Sequence, residues 1–285
     1  MKKRKVVYNL INILVLLAAA LIFVFNYISK DIFEAFNWKY IVIITISVVI
    51  VHFLKAIRLY LALYGSGLSI YSYSKIYCKV TPISILFPFK LGELFRIYCY
   101  GYQIDNMLKG VVTVILDRFM DTVALVTMII VVWIASGGVM MPLVYFLLVF
   151  LVAAVLLFIT FPGAYNYWKK FLLRAVGTSR KLKALKFLER INRVYREIAS
   201  VSKGRGIILY IISLLAWATE IGCVAILNRF SEQTNLSQKM SEYLTSALSS
   251  TQSLELKHFI FISVILMIII YVLVKAVETV RGERN

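Results

Sequence analysis

Two short stretches carry most of the side chains that could do chemistry. The first is Pro88-Phe-Lys-Leu-Gly-Glu-Leu-Phe-Arg96. Pro88 can open a helix, because the N–H it lacks would be unpaired there anyway. Lys90 then falls in the first turn, where free backbone N–H groups attract anions. Gly92 allows another backbone to come close. Glu93 and Arg96 are three apart and share a helix face. Together they suit a cradle for a phosphate, or a capped turn with one ion pair. The second stretch is Asp117-Arg-Phe-Met-Asp121. Its two carboxylates are four apart and repel each other on one face. Arg118 can reach Asp121, and Lys90 or Arg96 can complete a buried network. A salt-bridge network that fixes helix register and a divalent cation held by Glu93, Asp117 and Asp121 are the competing readings. Ionisable residues inside a membrane span usually mark a functional site.

Three further positions are weaker. Lys55 and Arg58 fit charges that snorkel to the interface. Glu220 is a lone acid in an apolar stretch, three residues after Trp217. It needs a cationic partner or a proton, and a proton relay is one role for it. Eight of the 18 tyrosines lie between Tyr60 and Tyr102, which an interfacial segment explains. A headgroup pocket lined by hydroxyls is the sharper version.

The elements that hold these residues are membrane spans. The 285 residues are 61% hydrophobic and 16% charged, with a mean hydropathy of +0.84. Soluble domains are about half apolar and a quarter charged, so a soluble enzyme and a disordered chain are both excluded. Apolar runs at about 6–27, 39–60, 110–135, 142–162, 206–228 and 258–276 are long enough to cross a bilayer. The first is too long, and too poor in a cleavage site, for a signal peptide. Residues 74–104 are broken by Pro82 and Pro88 and must return to the side they left, which predicts a re-entrant hairpin. Broken backbone at that depth needs a protein or aqueous lining, and transporter binding sites occur at such breaks. Residues 165–205 read as a basic amphipathic helix on the cytoplasmic leaflet, with Trp168, Phe171, Leu172, Leu188, Ile191 and Val194 as its apolar side. Residues 231–257 read as a polar loop. The expected architecture is all-α and polytopic, one membrane domain over 1–285, with six full spans plus the hairpin.

Charge orients it. The formal net charge is +18. The segments on one side carry 22 Lys/Arg and the opposite loops five, which predicts cytoplasmic termini. The basic excess therefore points to anionic phospholipid rather than nucleic acid. Cys78, Cys99 and Cys223 have no metal or disulfide spacing, and His52 and His258 make no metal pattern. No Walker A loop, GxSxG or HExxH is present, and no cofactor is implied.

Taken in order, Leu-Lys-Ala-Ile-Arg58, Pro88-x-Lys-x-Gly-Glu-Leu-x-Arg96 and Asp117-Arg-Phe-x-Asp121 closely resemble the transmembrane region of lysylphosphatidylglycerol synthases and the wider flippase-like membrane family. Weaker similarity continues through Trp217-x-x-Glu220. The resemblance implies the lipid-translocating membrane part of the multiple peptide resistance factor, without the soluble aminoacyl-transferase domain. It also implies a bacterial or archaeal plasma membrane. Phe89 and Asp117 stand where the family has Gly and Glu. A second Pro-Gly-Gly-x-Gly-x-x-Glu motif of many relatives has no counterpart in 231–257. The expected function is binding and translocation of a phosphate-bearing lipid, such as an aminoacyl-phospholipid or a polyprenyl-phosphate-linked lipid. Arg58, Lys90, Gly92, Glu93, Arg96, Asp117, Arg118 and Asp121 are the expected binding residues. Rival readings are a membrane-embedded lipid- or glycolipid-modifying enzyme and a non-catalytic subunit of a cell-envelope synthesis complex.

Overall fold

The computed structural model describes residues 2–28, 38–87, 91–136, 142–174, 179–230, 235–248 and 252–282. They form ten helices and no strand. These are α1 (Lys2–Tyr27), α2 (Trp38–Ala62), α3 (Ile70–Leu86), α4 (Leu91–Ile104), α5 (Met107–Ser136), α6 (Pro142–Arg174), α7 (Ser179–Ser202), α8 (Gly206–Phe230), α9 (Leu236–Ser246) and α10 (Leu254–Gly282). Six of them, α1, α2, α5, α6, α8 and α10, are long and apolar enough to cross a membrane. All-helical structure is what the bilayer requires, since a helix satisfies its backbone groups internally.

The hairpin is present as α3 and α4. Ser69 caps α3 by accepting a hydrogen bond from the Ser72 N–H at 3.2 Å. Pro82 does not break α3, contrary to the sequence expectation; it sits inside the helix, buried. A helix-interior proline loses one backbone bond, yet α3 continues through it to Leu86. Helix α3 ends at Leu86 and α4 begins at Leu91. Gly92 explains how the arms close. A Cβ there would lie 2.5 Å from the Ile83 carbonyl oxygen and 2.5 Å from Ser84 Cα. The next turn repeats the device, because a Cβ on Gly110 of α5 would meet the Gly101 amide nitrogen of α4 at 2.8 Å.

Cross-chain contacts give the relative directions. Tyr8 stacks on Tyr102 with ring centroids 4.1 Å apart. The Tyr71 hydroxyl donates to the Val274 carbonyl at 2.6 Å, and Lys75 pairs with Glu278. The start of α1, the end of α10 and the open end of the hairpin therefore share one face. At the opposite face Tyr27 donates to Gln252 at 2.9 Å and Tyr40 meets His258 at 2.7 Å.

Two sequence boundaries move. The fourth span does not stop near 162; α6 runs 33 residues, about 50 Å at 1.5 Å per residue, and takes in the first part of the basic stretch. The amphipathic helix is α7 alone, and it packs on α5 and α6 rather than standing apart. Its inner stripe is Leu185, Leu188, Asn192 and Tyr195, while Trp168, Phe171 and Ile191 are exposed. Tyr195 closes against Phe161 at 4.8 Å.

The supposed polar loop contains α9, which packs against α5 and α8. Tyr243 and Leu244 of α9 join the buried cluster of Ala124, Trp217 and Ile221. Tyr243 bonds Glu220, which lies ten residues, about 15 Å, below the end of α8. Helix α9 therefore packs into the bundle through Tyr243 and Leu244.

Candidate functional site

Four helices bring the charged residues together. On α2, Lys55 and Arg58 are three apart and point the same way. On α5, Asp117, Arg118 and Asp121 occupy one face. The hairpin arm α4 supplies Glu93 and Arg96, and α8 supplies Ser213, Trp217 and Glu220, which recur at helical spacing.

Arg58 is the centre. Its side chain is 1% exposed, and its Nε lies 2.7 Å from Asp117 Oδ1. Its Nη1 lies 2.7 Å from Asp121 Oδ1 and donates to the Ser213 hydroxyl at 2.7 Å. A guanidinium can serve two carboxylates at once because its donors form a fixed fork. This single cation removes the repulsion between Asp117 and Asp121. The snorkelling reading of Arg58 is therefore replaced by a buried crosslink between α2, α5 and α8.

Arg96 approaches Asp117 Oδ2 at 3.3 Å and Glu93 at 3.5 Å. Arg118 completes the set, 3.1 Å from Asp117, 3.4 Å from Glu93 and 3.7 Å from Asp121. Ser84, from the other hairpin arm, donates to Glu93. Three guanidiniums thus face three carboxylates, so the cluster is neutral as a whole. That balance lets charge persist at membrane depth, where an unpaired ion would be prohibitive. Exposure divides the members. Arg96 is 4% exposed and Arg118 34%, so Arg118 is the cation that reaches the surface of the cluster.

Not every donor is used. Arg58 Nη2 and Arg96 Nε are buried without a hydrogen-bond partner, as are the hydroxyl of Tyr100 and Nε2 of His52. Buried donors of this kind are rare and call for a partner. Three of the clustered tyrosines, Tyr73, Tyr77 and Tyr100, are buried together beside Arg96. For these the headgroup-level reading gives way to an aromatic wall behind the cluster.

Beside it, Lys55 and Glu220 form a second pair at 2.7 Å. The Lys55 ammonium also lies 5.4 Å from the Trp217 ring centre, and Tyr243 donates to the other Glu220 oxygen at 2.9 Å. Glu220 is therefore not alone. Sequence spacing could have found Lys55, since Lys55 and Arg58 share a face opposite Ser213 and Glu220. Nothing local to α9 marks Tyr243. Lys90 lies outside the described residues, as do Pro88 and Phe89. Among the described residues no group of His, Cys, Asp and Glu is arranged to hold a metal ion; the clustered carboxylates face guanidiniums instead. The three cysteines are free and buried.

The family model described as the lysylphosphatidylglycerol synthase TM region matches residues 9–251. The match spans most of the chain and contains every charged residue of both clusters, and the chain belongs to that family. No curated protein and no solved structure matches the chain.

Proposed function

We propose that this member of the lysylphosphatidylglycerol synthase transmembrane family binds a lipid through its phosphate and moves it between leaflets of a plasma membrane. The observation that carries this reading is Arg118, a guanidinium one-third exposed at the edge of an ion cluster that is otherwise sealed. A phosphate arriving there meets a donor already held in place by Asp117 and Glu93. Arg-to-phosphate contacts are strong and directional. Arg58 and Arg96 hold the carboxylates that aim Arg118. Gly92 keeps the hairpin arms close enough for Glu93 to reach.

No nucleotide-binding motif supplies energy, so movement is downhill or ion-coupled. Glu220 is the coupling carboxylate in this reading. Protonating it would remove the Lys55 ion pair and weaken the Tyr243 hydrogen bond, loosening α2 and α9 from α8. The lipid is an aminoacyl-phospholipid or a polyprenyl-phosphate-linked lipid. The basic faces of α7 and the N-terminus sit on the anionic cytoplasmic leaflet of a bacterial or archaeal cell.

The test is a flipping assay in proteoliposomes with a fluorescent phospholipid, comparing the wild type with Arg118→Gln. Lipid movement that falls at least about tenfold in the variant, with folding intact, supports the reading. Equal movement, or none above empty vesicles in the wild type, removes it. One observation favours a second reading. Arg58 holds two carboxylates and a serine hydroxyl on two other helices, so the cluster would serve equally as a structural clamp in a non-catalytic subunit of an envelope-synthesis complex. A stoichiometric enzyme that co-purifies with wild type and Arg118→Gln alike would favour it.

A further inference from the structure

A further cation sits within the apolar bundle away from the arginine cluster, and among the described residues it has no counter-ion. Lys79 is half-buried in the middle of α3. Its ammonium donates to the Tyr8 hydroxyl at 3.0 Å and to Asn12 Oδ1 at 2.9 Å. It also lies 5.0 Å from the Tyr8 ring centre and 5.7 Å from that of Phe95. These groups are uncharged, the buried Cys99 thiol lies against the same ammonium, and among the described residues no carboxylate pairs with it. An ammonium has three N–H donors, and only two find oxygen here.

Contrast makes this unusual within the chain. Arg58, Arg96 and Lys55 each hold a carboxylate within 3.5 Å. Lys79 instead has a polar, neutral cage, which solvates a cation without cancelling its charge. The charge is left for an anion from outside. The setting admits one. Tyr8 is in the first turn of the Val6–Tyr27 span, so the ammonium lies within about one helical turn, some 5 Å, of headgroup level. Tyr8, Tyr98 and Tyr102 line the approach and are only half-buried. Helix α1 touches the rest of the fold chiefly through α3, so Lys79 lies along the contact line between α1 and the hairpin. The Lys-Lys-Arg-Lys run at residues 2–5 raises the local positive potential further.

We propose that Lys79, caged by Tyr8 and Asn12, anchors a peripheral anion site that takes a phosphate group in the seam between α1 and the α3–α4 hairpin. The phosphate accepts the third Lys79 N–H and a hydrogen bond from the Tyr8 hydroxyl, and its charge balances the ammonium. The site does not depend on the translocation reading.

The test uses the purified full-length chain, as wild type, Lys79→Arg, Lys79→Gln and Asn12→Asp. Each is given phosphatidic acid or phosphatidylcholine with the same acyl chains, and retained lipid is counted by native mass spectrometry. Wild type and Lys79→Arg are expected to hold one phosphatidic acid more than Lys79→Gln, with no difference for phosphatidylcholine. Asn12→Asp supplies an internal counter-ion without removing the lysine, and is expected to lose that lipid too. Excess inorganic phosphate then separates the sources. Displacement assigns a site for phosphate in general, and persistence assigns one for a lipid headgroup; either upholds the anion site. Arg118→Gln should keep this lipid, which separates the site from the arginine cluster. Equal phosphatidic acid retention in wild type and Asn12→Asp, or in wild type and a Lys79→Gln that melts normally, would reduce Lys79 to a tether for α1.

Discussion

Arg58 and Asp117 meet at 2.7 Å with side chains 1% and 0% exposed. Neither residue can lose its partner cheaply. Removing one half of a buried pair leaves an uncompensated charge and costs about 3–5 kcal/mol. Arg58 also holds Asp121 and Ser213, so its loss detaches α2 from α5 and α8 at once. Arg58→Ala should therefore lower thermal stability in detergent more than any other single change in the cluster. Arg58→Lys should not restore it, because a point-like ammonium cannot reproduce the guanidinium fork. A melting curve for Arg58→Lys that overlays the wild type would show that the fork is unnecessary.

Arg118 should behave differently although it touches the same carboxylates. It is 34% exposed, and exposed ion pairs contribute about 0–1 kcal/mol. Asp117 and Asp121 keep Arg58 when Arg118 is gone. Arg118→Gln should therefore fold and melt close to wild type, within about 1 kcal/mol, while Arg96→Ala should be clearly destabilised. Differential scanning fluorimetry of the two variants side by side checks this. A larger loss for Arg118→Gln than for Arg96→Ala would reverse the assigned order of burial.

Much of this was legible because membrane burial forces charges to find partners. Asp117 and Asp121 share a face and repel, which demands a cation, and Arg96 supplies one as the sequence suggested. The six spans follow from apolar length alone, and the hairpin from a length too short to cross. Other parts were hidden for physical reasons. Arg58 looked like an interface charge because its partners are 59 and 63 residues away. Pro82 looked like a break because an interior proline removes one backbone bond, but α3 carries it among buried neighbours. Helix α9 looked like a loop because a short polar helix has no apolar run to reveal it; its depth shows only through the Tyr243–Glu220 contact.

The hairpin offers a test of close packing without charge. Gly92 faces the Ile83 carbonyl so closely that an added Cβ would lie 2.5 Å from it. The obstruction is backbone, so no side chain can swing aside. Gly92→Ala must push the hairpin arms apart, at a cost of about 1–3 kcal/mol by analogy with overpacked cores. Glu93 is the next residue and would shift away from Ser84 and Arg118. Gly163, with no atom within 4 Å of its Cβ position, is the matched control. Gly163→Ala should melt like wild type and Gly92→Ala lower. Equal melting would mean the arms are free to separate.

Glu220 gives the clearest pairwise test, because its two oxygens go to residues on different helices. Lys55 takes one at 2.7 Å and Tyr243 the other at 2.9 Å. Lys55→Met alone leaves a buried carboxylate facing a hydroxyl, and Glu220→Gln alone leaves an ammonium over the Trp217 ring. Each should destabilise. Together they leave no unpaired charge, and the introduced amide can still accept from Tyr243, so the double variant should recover much of the sum. A coupling of about 0.5–3 kcal/mol is the range for residues in direct contact. Tyr243→Phe should instead add to Lys55→Met with less coupling, since those two residues meet only through Glu220. A double-mutant cycle followed by thermal unfolding reads both numbers. Strict additivity of Lys55→Met and Glu220→Gln would mean that the ion pair does not hold α2 to α8.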